Sequence, residues 1–121
     1  MRLLCADDEP DIRTILELAL GLEPSIEAEV LPSGVALLAR VKEAKPDAIL
    51  LDAMMPELDG YETCRRLKAD PETAGIPVVF LTARAQRGER DTAIEVGALA
   101  CLTKPFDPLT LAGELLVALG R

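Results

Sequence analysis

Short apolar runs alternate with longer segments of helical period along this chain. The runs cover residues 3–6, 27–31, 48–51, 78–81 and 99–102. Four of them are almost entirely apolar, which is typical of strands covered by helices on both faces, whereas the run at 27–31 alternates with acidic residues and is predicted to be an edge strand. Strands that alternate with helical segments predict βαβ units and a parallel sheet.

The segments between these runs carry the spacing and the caps of helices. In the first, one buried stripe is predicted from Ile12, Ile15, Leu16, Ala19 and Leu20. The second is predicted to begin at Ser33 and to end before Pro46, the third to be capped by Asp59, and the fourth to span residues 88–96. The fifth is predicted to be capped by Asp107, with Pro108 in its first position and a buried stripe of Leu109, Ala112, Leu116 and Leu119.

Length and composition favour one globular domain over residues 1–121. Half of the residues are apolar and 28% are charged, which is enough to bury a core. Five βα rounds predict an α/β fold with a doubly wound parallel sheet, in which ligands bind at the carboxyl ends of the strands. No apolar run is long enough to cross a membrane, so we expect no membrane partner and a cytoplasmic protein.

Charge and residue usage exclude several classes of function. The formal net charge is −8, which opposes the phosphate contacts that dominate nucleic-acid binding, so no direct nucleic-acid partner is expected. Three cysteines without a CxxC motif and the absence of histidine disfavour zinc sites and imidazole-based catalysis. Carboxylate, hydroxyl, amine and backbone chemistry remain.

Polar residues follow four of the predicted strands. They are Asp7 and Asp8 after the first, Asp52 after the third, Thr82, which Ala83 follows, after the fourth, and Lys104 after the fifth. If the first and third strands are neighbours, the three acids converge and need a counter-charge, for which Mg²⁺ is the simplest choice. Lys104 and Thr82 could then grip a phosphoryl group while Asp52 attacks it. Taken singly, each of these residues could instead be a helix cap, a turn residue or a solvated side chain.

Together the motifs Asp7-Asp8, Asp52-Ala53-Met54-Met55-Pro56 with Asp59-Gly60, Leu81-Thr82-Ala83 and Lys104-Pro105-Phe106 resemble the receiver domain of two-component response regulators. The resemblance covers essentially the whole chain. It implies a flavodoxin-like fold of five strands in the order 2-1-3-4-5 with five helices.

The resemblance also implies a role for each site residue. Asp52 would accept a phosphoryl group, Lys104 would pair with its oxygens, and Thr82 with Ala83 would bind it and draw in the following loop. The ligands of Mg²⁺ would be Asp8, Asp52 and the backbone carbonyl of Met54, with Asp7 acting mainly through water. The Lys104-Pro105 bond would be cis.

Two positions bear on output and on the lifetime of the phosphorylated form. Cys101 occupies a position where the family usually has an aromatic switch residue, and a short thiol cannot sweep between buried and exposed positions as a ring does. The coupling of Thr82 and Cys101 to the output is therefore open. Met54 and Arg84 stand at variable positions that tune the access of water to the acyl phosphate, and their bulk suggests slow loss.

The implied partners are a sensor histidine kinase or histidine phosphotransfer protein, and a downstream protein or effector domain reached through the fourth helix, fifth strand and fifth helix. A weak or phosphorylation-dependent homodimer stays open. We expect a signalling protein that catalyses only its own phosphorylation and dephosphorylation. The alternatives are a phosphorylation-independent pseudo-receiver that acts as an interaction module, and a Mg²⁺-dependent phosphatase acting on a small molecule.

Overall fold

Five parallel strands form one sheet in the order β2-β1-β3-β4-β5. The structure is a computed structural model and describes residues 1–83 and 87–121. The strands are β1 (Arg2–Ala6), β2 (Glu27–Leu31), β3 (Ala48–Asp52), β4 (Val78–Thr82) and β5 (Ala100–Thr103). The predicted fold class and strand order are confirmed, and each predicted strand lies within a residue or so of an observed one.

A helix follows each strand, and three of the four predicted starting points lie within one residue of the observed ones. The helices are α1 (Pro10–Gly21), α2 (Gly34–Ala44), α3 (Gly60–Ala69), α4 (Arg87–Glu95) and α5 (Leu111–Ala118). Pro10 stands in the first turn of α1, and the side chains of Ser33 and Asp59 accept hydrogen bonds from the first turns of α2 and α3. These caps satisfy backbone N–H groups that have no partner within the helix.

The sheet separates two apolar cores. One lies under α2, α3 and α4 and includes Phe80, while the other lies under α1 and α5. All residues of β3 and β4 are buried, whereas β2 is exposed or half-buried throughout, as predicted for an edge strand. In the predicted stripe of α1, Leu16, Ala19 and Leu20 are buried, but Ile15 lies at its border and is 36% exposed.

The prediction for the fifth helix is wrong at its start. Asp107 does not cap α5. Its carboxylate accepts from the Leu109 N–H and its carbonyl from the Thr110 N–H, and these bonds close a separate turn. The helix begins only at Leu111, so its buried face holds Leu111, Ala112 and Leu115. Leu109 is 81% exposed, because the turn points it outward.

In the described residues, no helix combines the length and the apolar character that a membrane span requires.

Candidate functional site

Three carboxylates meet at the carboxyl ends of β1 and β3. These strands are neighbours in the sheet, with Ala6 opposite Leu51, so the residues that follow lie side by side. Asp7, Asp8 and Asp52 each place a carboxylate oxygen within 4.8 Å of the others. Asp7 is fully buried and Asp52 is 5% exposed, while Asp8 is half-buried. Such a group of like charges is costly unless a cation compensates it.

Lys104 supplies part of the compensating charge. Its Nζ lies 2.7 Å from Asp7 Oδ2 and 3.3 Å from Asp52 Oδ2, and its side chain is 14% exposed. The end of β5 brings it there, because the Lys104 N–H donates to the Thr82 carbonyl at 2.7 Å. Burial alone would lower the pKa of Lys104, but the hydrogen bond to Asp7 and the charge of Asp52 outweigh burial and raise it.

The surroundings of Asp52 disfavour the charged form of its carboxylate. Burial, followed by the charge of Asp7, raises its pKa to about 6, although Lys104 and the Met54 N–H act in the opposite direction. The Met54 N–H donates to Asp52 Oδ1 at 3.2 Å. The carboxylate is therefore mostly ionised at neutral pH, and a cation beside it would relieve the energetic cost of that charge.

The donor set fits a hard divalent cation. All three side chains offer carboxylate oxygens, and one of them lies on the half-buried side of the cluster, where water has access. Mg²⁺ prefers one or two carboxylates together with water and phosphate oxygens. The residues present fit magnesium, and the softer ligands of zinc are absent from the cluster.

The connection from β3 to α3 packs directly against Asp52. A side chain on Gly60 would collide with the Asp52 carbonyl, and the Gly60 N–H donates to the Ala53 carbonyl at 3.1 Å. The sequence analysis interprets Asp59-Gly60 as a cap and a turn. Asp59 is indeed the N-cap of α3, and Gly60 in addition allows α3 to begin close against the main chain of Asp52.

The other predicted phosphate-binding residues stand at the end of β4, the strand beside β3. Thr82 ends β4 and is 2% exposed, and Ala83 beside it is exposed. The Lys104-Pro105 bond is cis, as the resemblance implies. Beside Lys104 lies an apolar groove of about 280 Å³, lined by Ile12, Ile15, Ala83, Pro105 and Phe106.

Two predicted residues have side chains outside the carboxylate cluster, Cys101 on β5 and Met54 after β3. Cys101 is half-buried in β5 and lines a separate groove of about 320 Å³ between α4 and β5. The side chain of Met54 is 67% exposed, whereas its N–H points to Asp52. Arg84 lies outside the described residues.

One residue of this region, Arg13, is not predicted from the sequence. Arg13, in α1, donates from Nη1 to the backbone carbonyl of Asp7 at 3.1 Å. No spacing rule could have found it, because the contact depends on where the chain leaves β1. Only the folded β1–α1 connection shows it.

Comparison with known proteins assigns this arrangement to a family. The model of the response regulator receiver domain matches residues 3–115. The response regulator PleD of Caulobacter vibrioides is 45% identical over 111 residues, and the match covers 91% of this chain and 24% of that protein. The phosphate regulon regulatory protein PhoB of Pseudomonas aeruginosa is 39% identical over 121 residues, covering 98% of this chain and 52% of that protein. The chain thus spans between a quarter and about half of these relatives.

Solved structures agree with the sequence relatives. The chemotaxis protein CheY4 of Vibrio cholerae superposes with a TM-score of 0.89 at 28% identity, over 97% of both chains. The receiver domain of the sensor histidine kinase PA1611 of Pseudomonas aeruginosa superposes with a TM-score of 0.86 at 28% identity, over 99% of this chain and 98% of that one. That structure holds a magnesium ion coordinated in its active-site cleft.

Proposed function

The chain belongs to the response regulator receiver family of two-component systems, and from this premise we propose that it accepts a phosphoryl group on Asp52 in a magnesium-dependent reaction. The observation that carries the proposal is the meeting of Asp7, Asp8 and Asp52 around Lys104 at one end of the sheet. The phosphoryl donor is a phosphohistidine on a sensor kinase or on a phosphotransfer protein.

Asp52 is the nucleophile. A lone pair of its carboxylate forms the new oxygen–phosphorus bond while the phosphorus–nitrogen bond of the donor breaks, and the donor imidazole keeps that electron pair. No general base is needed, because the attacking carboxylate is already ionised. Lys104, 3.3 Å from Asp52, would pair with the phosphoryl oxygens, and Thr82 with Ala83 would bind them from the end of the neighbouring strand β4.

Asp8, Asp52 and the carbonyl of Met54 would hold the magnesium ion, and Asp7 would contact it through water. When bound, the ion supplies positive charge that screens the phosphoryl oxygens during transfer. Lys104 supplies the rest of that charge, and its contact with Asp7 keeps it at the site in the absence of a phosphoryl group.

The apolar groove beside Lys104 suits the donor protein. Ile12 and Ile15 on α1, together with Pro105 and Phe106, offer a docking surface next to the acceptor. A protein seated there would exclude water from the reacting atoms, which strengthens every charge interaction at the site.

Phosphorylation would then act as a switch. The new group adds a charge of about −1.5 to −2 next to Thr82. Thr82 is the last residue of β4, directly before the segment that leads to α4. We infer that its movement is passed to the surface of α4, β5 and α5, where Cys101 lines the groove. The protein would thus control a downstream partner while catalysing only its own phosphorylation and dephosphorylation.

The complete set of acids, threonine and lysine disfavours the pseudo-receiver alternative. The downstream partner depends on the rest of the protein, since the curated relatives are about two to four times longer than this chain. Some of them are named DNA-binding response regulators, so the expected lack of a nucleic-acid partner concerns this chain alone.

Intact-mass spectrometry with acetyl phosphate tests the proposal. We expect one phosphoryl adduct that forms with Mg²⁺, is absent in EDTA and is absent from Asp52→Asn. Asp11→Asn is the matched control, because Asp11 is an exposed acid in the first turn of α1. An adduct that persists in Asp52→Asn, or that forms equally in EDTA, would overturn the proposal.

A further inference from the structure

Arg13 contacts the site through the backbone of Asp7, and among the described residues no ion pair joins it to a carboxylate of the site. Its Nη1 donates to the carbonyl of Asp7 at 3.1 Å, and the contact is partly buried. The carbonyl belongs to the peptide group that joins Asp7 to Asp8. We propose that Arg13 is a positioning residue for magnesium, and that it acts by fixing the backbone of Asp8.

The need for this contact follows from the end of the β1–β2 ladder. The Asp7 N–H donates to the Leu31 carbonyl at 3.1 Å, so the Asp7 carbonyl faces the same side, toward β2. The next donor in the ladder would be the Ser33 N–H, but β2 ends at Leu31 and Ser33 is the N-cap of α2. Arg13, in α1, donates to the Asp7 carbonyl in place of the Ser33 N–H.

Asp8 is held from both sides as a result. The peptide group before it is fixed by Arg13 through the Asp7 carbonyl. The peptide group after it is fixed by the Glu9 N–H, which donates to Asp7 Oδ1 at 3.0 Å. Two fixed peptide planes restrict φ and ψ of the residue between them, and hence fix the direction of the Cα–Cβ bond from which its carboxylate extends.

Magnesium is sensitive to this direction. The ion demands near-octahedral geometry and gives up its water reluctantly, so a ligand that wanders binds it less well. Partners that orient metal ligands typically change metal affinity by roughly 10- to 100-fold when they are removed. Because Arg13 acts through the main chain, we expect the lower end of that range.

Charge alone predicts the opposite sign. Arg13 is a cation close to a cluster of acids, so its removal would favour a second cation and tighten magnesium binding. Positioning predicts weaker binding after the same change. The sign of the effect therefore separates the two roles without any measurement of phosphorylation.

Arg2, the first residue of β1, provides a matched control, because it lies at the opposite end of β1 from Asp7. Its Nη1 donates to the Ala44 carbonyl at 2.8 Å, a contact of the same kind that is also partly buried. Arg2→Met removes one positive charge and one arginine–carbonyl hydrogen bond, as Arg13→Met does. It leaves the β1–α1 connection untouched.

The experiment is a calorimetric titration of the unphosphorylated protein with magnesium chloride, with thermal unfolding in EDTA as a check of folding. We expect Arg13→Met to weaken magnesium binding roughly tenfold, Arg2→Met to leave it unchanged, and both to lower the melting temperature by similar amounts. Arg13→Lys, which keeps the charge and offers a single ammonium, should fall between the wild type and Arg13→Met and serves if the latter does not fold.

The inference rests on the proposed magnesium site, and the titration distinguishes the two failures. Equal or tighter binding by Arg13→Met, or an equal loss in Arg2→Met, would overturn the positioning role and leave the proposed function intact. A wild-type chain that binds no magnesium would overturn the proposed magnesium dependence and this inference with it.

Discussion

Lys104 lies closer to Asp7 than to the proposed acceptor Asp52. Its Nζ is 2.7 Å from the Asp7 carboxylate and 3.3 Å from that of Asp52. Asp7 is fully buried, so water cannot compensate its charge as it would on the surface, and Lys104 takes that role. In the metal-free protein, Lys104 therefore stabilises the fold as well as the site.

Replacing Lys104 should destabilise the metal-free protein. Lys104→Met keeps most of the apolar stem and leaves the buried Asp7 without its cation, which typically costs about 3 kcal/mol or more. Urea unfolding in EDTA at neutral pH measures the change. Lys42→Met is the control, because the Lys42 Nζ pairs with Asp70 at 2.9 Å on the exposed surface, where an ion pair contributes little. Equal losses in the two variants would contradict the account.

Asp52→Asn should stabilise the metal-free protein at alkaline pH. The pKa of Asp52 is raised from 3.8 to about 6 in the folded protein. Between these two pH values the folded chain therefore holds a proton on Asp52 that the unfolded chain has lost. The cost of the charge is absent below about pH 4, grows as the pH rises and is complete above about pH 6. We expect Asp52→Asn to gain about 1 to 2 kcal/mol at pH 8, allowing for solvent screening.

Unfolding of both proteins in EDTA across this pH range measures that difference. The advantage of Asp52→Asn should shrink to nothing toward pH 4. A difference that stays constant with pH would show that the charge of Asp52 is not its source.

Gly60→Ala should be costly although it adds a single methyl group. The new Cβ would meet the main chain at Asp52 and Ala53, which cannot move aside without displacing the Asp52 side chain. We expect a loss of about 3 kcal/mol in the free energy of unfolding, as in overpacked cores. Gly113→Ala is the control, because Gly113 lies in α5 with open space around it, and there the same change should add about 0.5 to 1 kcal/mol. Two variants of equal stability would exclude the close approach.

Magnesium should raise the melting temperature of the wild type. A ligand at about 100 times its dissociation constant stabilises the folded state by about 2.7 kcal/mol. Asp8→Asn removes a proposed ligand and should lose most of this gain, while Asp11→Asn, on the exposed first turn of α1, should keep it. Differential scanning fluorimetry with and without magnesium chloride reports the shifts, and a full gain in Asp8→Asn would remove Asp8 from the ligand set.

The elements that sequence predicted well are those with a local signal. The strands are recognisable as apolar runs. Ser33 and Asp59 predict the starts of their helices because each side chain caps the helix turn that follows it directly in the sequence. The order of the strands came from the family resemblance, since periodicity says nothing about which strands pair. The prediction at Asp107 is wrong because an aspartate followed by proline suits a turn as well as a helix start, and for the same reason Leu109 is exposed and not part of the buried stripe.

The site was predictable in its residues and not in its contacts. Asp7, Asp8 and Asp52 follow from the rule that parallel strands end at one edge. The contacts depend on differences in distance of a few tenths of an ångström. They are the closer approach of Lys104 to Asp7, the packing of Gly60 against Asp52 and the hydrogen bond from Arg13 to the Asp7 carbonyl. Such distances arise from the packing of the whole fold and leave no pattern in the sequence.

The measurement that tests the central claim most directly is chemical identification of the phosphorylated residue. An acyl phosphate on aspartate is reduced by borohydride to the alcohol of homoserine, which marks the acceptor permanently. After phosphorylation with acetyl phosphate and magnesium, reduction and proteolysis, tandem mass spectrometry of the peptides that contain residues 7, 8 and 52 reads the position. We predict homoserine at Asp52 alone. Homoserine at Asp7 or Asp8, or a phosphoryl adduct that leaves Asp52 unreduced, would contradict the account.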